Sequence, residues 1–163
     1  MKAFLLAAGK GERLKPLTDQ IPKPLINIKG KPLIEWNIER LARNGIKEVI
    51  INVFHLGHMI EDFLGDGSKY DVRIIYSKET ALMGTGGAIL NALDLIGSEP
   101  FLLMSSDIWT NFPFKELKLQ HNSSAHMVLV SPTDNIGDFN LEDGIVNNSN
   151  QGERYTYSGI SKI

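Results

Sequence analysis

Ala3-Phe4-Leu5-Leu6-Ala7-Ala8-Gly9-Lys10-Gly11-Glu12-Arg13 is the stretch on which the fold turns. Its first part, Ala3 to Ala7, is a compact apolar run bounded by glycine, and such a run suits a strand buried on both faces. Its second part is short, glycine-rich and charged, and it lies where a buried strand delivers the chain to the carboxyl edge of a sheet. A strand covered on both sides needs helices above and below it, so the rest of the sequence should alternate the two elements.

The alternation is present. Pro32 suits a first helical turn, and Leu33, Ile34, Ile38 and Leu41 recur at helical spacing until Asn44-Gly45 stops them. Glu48 to Val53 is β-branched, Met59 to Leu64 reads as a helical turn or two, and Val72 to Tyr76 returns to strand character. Gly87 to Ile96 spaces Ile89, Leu90, Leu93 and Ile96 along a predicted helix face, and Phe101 to Met104 is the next buried strand. A helix from about Phe114 to Gln120 and a strand from Ala125 to Val130 complete the series. The expected fold is α/β: a Rossmann-like, mostly parallel mixed sheet with helices on both faces, its binding site at the carboxyl ends of the strands. Beyond Ser131 the Asn, Asp and Gly content rises, and short extended pieces at Asp138 to Leu141 and Tyr155 to Ile160 suggest an antiparallel appendage.

No internal repeat or low-complexity linker divides the 163 residues, and 42% hydrophobic content supplies one proper core. A single domain, 1–163, is expected, with a core over 1–130 and the appendage over 131–163. Seventeen Lys and Arg stand against 19 Asp and Glu, so no field of one sign argues for nucleic acid or an anionic membrane, and any phosphate binding must be local. Absence of cysteine removes disulfides, thiolate catalysis and cysteine-ligated zinc together, and suits a reducing compartment. The Ala3 to Ala8 run is too short, and too soon followed by Lys10, Glu12 and Arg13, for a signal peptide. No apolar run approaches the roughly 20 residues of a membrane span, so a cytoplasmic protein is expected.

Two glycines and two small residues after the first strand let backbone N–H groups approach an anion, although such a turn can also be only a tight turn. A dinucleotide-binding turn would want glycine at position 14 and an uninterrupted helix, whereas Leu14 stands there and Pro16 follows. That argues against a Rossmann reductase, and no Gly-Lys-Ser or Gly-Lys-Thr in a phosphate-loop frame occurs either.

The longer segment Leu6-Ala7-Ala8-Gly9-Lys10-Gly11-Glu12-Arg13-Leu14-Lys15-Pro16-Leu17-Thr18, followed by Pro22-Lys23-Pro24-Leu25, resembles the signature of sugar-1-phosphate nucleotidyltransferases, enzymes of the nucleotide-diphospho-sugar transferase fold. The resemblance implies a magnesium-dependent transfer of a nucleoside monophosphate from an NTP to a sugar 1-phosphate, with pyrophosphate leaving. It implies that Leu6, Ala7, Ala8, Gly9, Gly11 and Glu12 receive the nucleotide, that Arg13 contacts the triphosphate, and that Lys23 reaches the phosphate undergoing transfer. Two cations suit that chemistry, because phosphoryl-type transfer asks the protein chiefly for positioning and charge stabilisation. Pro22 and Pro24 restrict the backbone around Lys23 and lower the entropy lost in fixing its side chain.

Met83-Gly84-Thr85-Gly86-Gly87-Ala88 precedes a helix, which it could merely cap. By resemblance this loop lies against the nucleobase, with Gly86 among its contacts. Asp107 ends the strand that includes Phe101 to Met104; alone it would be a turn or cap residue, and by resemblance it is the Mg²⁺ ligand, bridging to nucleotide phosphates. The family commonly places Asn-Gly before this aspartate; Ser105-Ser106 stands here, so Ser105 should meet the nucleotide's sugar differently.

Gly65-Asp66-Gly67-Ser68, Ser106-Asp107-Ile108-Trp109-Thr110, Gly137-Asp138-Phe139 and Tyr157-Ser158-Gly159-Ile160 look most like the bacterial branch that uridylylates N-acetylmuramate 1-phosphate in cell-wall sugar recycling. This implies UTP as donor and puts Asp138, Ser158 and Gly159 near the acceptor sugar. Alternatives are guanylyl or thymidylyl transfer to mannose or glucose 1-phosphate, or a nucleotide-binding module without turnover. Relatives of the family continue further and bring a second metal aspartate, so a chain ending at Ile163 implies either a truncated form or a natural short form with a half-built metal site. His55 and His58 have no third ligand nearby and are not read as a metal pair. Trp36 is read as a core or interface residue, and Glu35, Glu39, Arg40 and Arg43 as the solvated face of the Pro32 helix. The oligomeric state is open.

Overall fold

The opening apolar run becomes strand β1, Ala3–Leu6, in a computed structural model that describes residues 1–120, 122–133, 137–149 and 152–163. A small hairpin of β2, Asn27–Ile28, and β3, Lys31–Pro32, leads into helix α1, Leu33–Arg43. There follow β4, Glu48–Val53, α2, Gly57–Leu64, β5, Arg73–Lys78, and the helices α3, Gly84–Asn91, and α4, Leu93–Ile96. β6, Leu102–Ser105, β7, His126–Val130, β8, Phe139–Glu142, β9, Ile145–Asn147, and β10, Arg154–Lys162, complete the chain.

The main sheet runs β5-β4-β1-β6-β10-β8-β9, with β7 also paired to β10. β1 lies parallel between β4 and β6, and β5 extends the parallel part beyond β4. β10 then joins antiparallel, with Ile160 opposite Met104. Side chains alternate across these central strands, and the two faces bury different cores. Ala3, Leu5, Val49, Ile51, Leu102 and Met104 face α1 and α2, where Ile34, Ile38, Leu41, Ile60 and Leu64 meet them. Phe4, Ile50 and Leu103 face α3 and α4, where Ala88, Ala92 and Ile96 close the second core. Helices on both faces of a mostly parallel mixed sheet are the arrangement expected from the sequence.

Three expectations need correction. The helix spacing over 87–96 predicted a face of Ile89, Leu90, Leu93 and Ile96, yet Leu90 and Leu93 are 72% and 49% exposed. The buried face is Ala88, Ala92 and Ile96, four apart, because small alanines bring the helix close to the sheet and a reading weighted toward large apolar side chains passes over them. The expected helix at 114–120 is only a 3₁₀ turn, Phe114–Glu116, which suffices to bury Phe114 and Leu117. Without that helix no right-handed crossover follows β6, and β7 pairs antiparallel with β10 instead of extending the parallel sheet. The solvated face assigned to α1 is also narrower than expected. Arg40 lies over the Phe114 ring and donates to Phe112 O at 3.4 Å. Trp36, read from the sequence as a core or interface residue, donates its indole N–H to Ile28 O at 2.9 Å. Among the described residues no helix is long and apolar enough to cross a membrane.

Candidate functional site

Every parallel strand ends at one cleft of about 480 Å³. β1 delivers Leu6, Ala7, Ala8 and Gly9 to its floor, β4 contributes Asn52, β5 leads to Glu79, and β6 leads to Ser105, Ser106 and Asp107. This is the edge at which open α/β sheets bind ligands.

The turn after β1 is held from below. Gly11 adopts φ +65°, in the left-handed region, and opens a 3₁₀ turn, Glu12–Leu14, that closes with Leu14 N donating to Gly11 O at 2.9 Å. The fully buried Thr18 donates its hydroxyl to the same carbonyl at 2.9 Å, and the His55 ring Nε2 lies 3.0 Å from Thr18 O. His55 is thus a brace for the turn. A Cβ on Gly11 would stand 2.8 Å from Thr18 Cγ2. Gly11→Ala therefore combines a disfavoured φ with a clash against a buried side chain, and should cost about 1–3 kcal/mol of stability, read as a lowered denaturation midpoint. An unchanged midpoint would show that the turn relaxes without Thr18.

Glu12 and Arg13 line the cleft from this turn, and Lys23 reaches it from a second 3₁₀ turn, Lys23–Leu25, whose Pro24 and Leu25 are buried. Burial of its neighbours and the fixed φ of the two flanking prolines anchor the lysine's backbone, as the sequence suggested. The Lys23 ammonium forms an ion pair with Asp107 Oδ2, joining residues 84 positions apart. Asp107 is in turn fixed through Ser106, whose hydroxyl donates to Leu6 O at 2.6 Å and whose carbonyl accepts from the buried Asn37 amide at 2.9 Å. Ser106 is a joint between β1, β6 and α1, and it lines the cleft together with Ser105 and Asp107.

Charged residues lining the cleft are three carboxylates, Glu12, Glu79 and Asp107, against two cations, Arg13 and Lys23. A triphosphate entering such a site would need further positive charge, of the kind a divalent cation brings. Among the described residues no cluster of three His, Asp or Glu could enclose a metal by itself. The donor set nonetheless suits Mg²⁺ held by one carboxylate together with phosphate oxygens and water, with Asp107 as that carboxylate.

Leu6, Ala7, Ala8, Gly9, Gly11, Glu12, Arg13, Lys23, Ser105 and Asp107, expected from the sequence to form the site, all line the cleft. Ala7 does so with its N–H already donated to Asn52 Oδ1 at 2.7 Å, so that group is not free for a phosphate. Gly84 and Thr85 border the cleft whereas Gly86, further along α3, does not. Asp138, Ser158 and Gly159 lie outside it. The Asp138 carboxylate accepts the Tyr157 N–H at 2.9 Å and so holds the irregular part of β10. There Gly159, at φ +83°, packs against Ser105, whose Oγ a Cβ would approach to 2.9 Å. Ser158 Oγ is buried without a hydrogen-bond partner. Sequence reasoning missed Asn52 and Glu79; the available signal was a polar residue interrupting the apolar run of β4 and a carboxylate just past β5.

A profile of the nucleotidyl transferase family matches residues 2–151. The chain is 45% identical to an N-acetylmuramate alpha-1-phosphate uridylyltransferase of Neisseria meningitidis serogroup B, over 98% of this chain and 74% of that protein. It is 38% identical to a probable mannose-1-phosphate guanylyltransferase of Oryza sativa subsp. japonica, over 76% of this chain, and the match spans only 35% of that relative's length. Among solved structures, HddC from Yersinia pseudotuberculosis complexed with GMP-PN superposes with a TM-score of 0.79 at 26% identity, covering 99% of this chain and 76% of HddC.

Proposed function

We propose, from the premise that this chain belongs to the nucleotidyl transferase family, that its cleft transfers UMP from UTP to N-acetylmuramate 1-phosphate. The observation that carries the reading is the convergence in one cleft of Arg13 from the glycine turn after β1, Lys23 from the Pro22–Pro24 turn and Asp107 from the end of β6. The choice of UTP and of this sugar rests on the likeness to the Neisseria uridylyltransferase.

In the proposed reaction an oxygen of the acceptor's phosphate attacks the α-phosphorus of UTP in line. A new P–O bond forms there, the bond from the α-phosphorus to the bridging oxygen breaks, and its electron pair leaves with pyrophosphate. The acceptor oxygen is already ionised, so no general base is needed, and no covalent enzyme intermediate forms. The turn from Ala8 to Gly11 cradles the triphosphate, and Arg13 binds the pyrophosphate portion as its charge grows. Lys23 neutralises charge at the transferring phosphate, exchanging its partnership with Asp107 for one with substrate. Asp107 would hold Mg²⁺, which when bound offsets phosphate charge and orients the α-phosphate. The loop at Gly84 and Thr85 lies against the base, and the β10 bulge, with Asp138, Ser158 and Gly159, faces the acceptor through Ser105. On this reading 1–163 is one nucleotidyltransferase domain, its 131–163 part serves the acceptor side, and the reaction belongs to cytoplasmic recycling of cell-wall sugars.

The test is a panel of NTPs and sugar 1-phosphates with Mg²⁺, followed by pyrophosphate release. Release confined to UTP with N-acetylmuramate 1-phosphate supports the reading. Release with GTP and mannose 1-phosphate replaces it by guanylyl transfer, and nucleotide binding without release makes the chain a binding module.

A further inference from the structure

Glu79 is 7% exposed, carries a carboxylate beside a cleft meant for anions, and makes no ion pair among the described residues. A buried charge in that position is retained only if fixed donors satisfy it. Two do. Asn52 Nδ2 donates to Glu79 Oε1 at 2.8 Å, and Met83 N, at the start of α3, donates to Glu79 Oε2 at 3.3 Å. Asn52 is itself 3% exposed, and its Oδ1 accepts the Ala7 N–H at 2.7 Å. The two neighbours fix the orientation of the Asn52 amide, since Ala7 requires an acceptor and Glu79 a donor. The Glu79 backbone is held as well, its N–H donating to Val53 O at 2.9 Å.

We infer that Asn52 and Glu79 are positioning residues that lock the phosphate turn after β1 to the loop opening α3, setting the separation of the two walls between which a nucleoside triphosphate lies. A continuous chain of hydrogen bonds runs from Ala7 through Asn52 and Glu79 to Met83, crossing from β1 to α3 by way of β4. The inference rests on the functional reading above for what occupies the cleft, whereas the lock itself is a property of the ligand-free protein. The pair acts on nucleotide binding and not on the transfer step, because neither residue carries a donor aimed at the phosphorus.

Donor and acceptor roles along the chain can be reversed, which gives a rescue experiment. In Glu79→Gln one of the two donors faces an amide NH₂, and in Asn52→Asp two carboxylates face each other. In the double variant Asn52→Asp with Glu79→Gln, the carboxylate introduced at position 52 accepts from Ala7 and from the amide introduced at position 79. The oxygen of that amide accepts from Met83, so every bond is restored at unchanged net charge. Each single variant should raise the dissociation constant for UTP with Mg²⁺ about tenfold or more, the loss of a hydrogen bond to a charged group. The KM for the sugar 1-phosphate should stay near its wild-type value. In the free protein, amide exchange at both Ala7 and Met83 should quicken in either single variant, including at the amide that the substituted side chain does not touch. The double variant should recover most of the UTP affinity and slow exchange at both amides again.

Single variants that bind UTP as the wild type does, or a double variant no better than the singles, would overturn the lock. So would quickened exchange confined to the amide adjacent to each substitution. A wild-type chain that fails to bind UTP would sink the functional reading alone, since amide exchange in the free protein still decides whether the two walls are coupled.

Discussion

Lys23→Ala is expected to lower turnover by about 10²–10³-fold, the scale of removing one preorganised charge contact to a transition state. Pro22 and Pro24 fix the turn, the buried Pro24 and Leu25 anchor it, and the side chain ends in the cleft beside Asp107. Stability should change far less, because the Lys23 and Asp107 side chains are 29% and 34% exposed, and ion pairs of such accessibility contribute about 0–1 kcal/mol. The informative quantity is the division between kinetic constants. A contact made mainly in the transition state lowers kcat and kcat/KM together, whereas a contact that only holds substrate raises KM. A fall in kcat of less than about fivefold in a folded variant would remove Lys23 from the transferring phosphate, being well below the loss of one such donor.

Asp107→Asn is the second large effect. It keeps the shape of the side chain and removes its charge, so Ser106, held to Leu6 O and to Asn37, should keep the local backbone in place. Titrating UTP with and without Mg²⁺ should show that the metal tightens binding to the wild type and has little effect on the variant. Turnover should fall by about 10²-fold or more, because the charge neutralisation supplied through the metal would go with it. Magnesium dependence that survives the substitution would place the ion on another carboxylate of the cleft, and Glu12 and Glu79 are the two to test next.

Much of this architecture is legible in the sequence because buried parallel strands are written as short, mostly apolar and β-branched runs. Ala3 to Ala7, Glu48 to Val53 and Phe101 to Met104 fall on β1, β4 and β6 with shifts of a residue or so at the ends. The Pro32 to Asn44-Gly45 helix is equally plain, since it has both a start and a stop signal as well as a periodic face. Failure comes where tertiary packing overrides pattern. Ala88 and Ala92 line the second core because of their small size, a role that periodicity of large apolar residues does not register. Phe114 and Leu117 have helical spacing and are buried by a single turn followed by extended chain.

The cleft shows the same division. Arg13, Lys23 and Asp107 stand in recognisable segments and meet as expected. Asn52 and Glu79 sit in no glycine motif, and their importance appears only when the parallel sheet brings the ends of β4 and β5 beside β1. Asp138 illustrates the converse. A carboxylate picked out by local likeness spends its Oδ2 on the Tyr157 amide and lies outside the cleft.

The most direct measurement follows the α-phosphate itself. UTP labelled at the α-phosphorus is mixed with the chain, Mg²⁺ and N-acetylmuramate 1-phosphate, and label and pyrophosphate are traced together. The expected result is label in the UDP-sugar, equimolar with pyrophosphate, dependent on the acceptor and never bound to the protein. Label that stays in UTP, appears as UMP without acceptor, or attaches covalently to the chain would contradict direct transfer in this cleft.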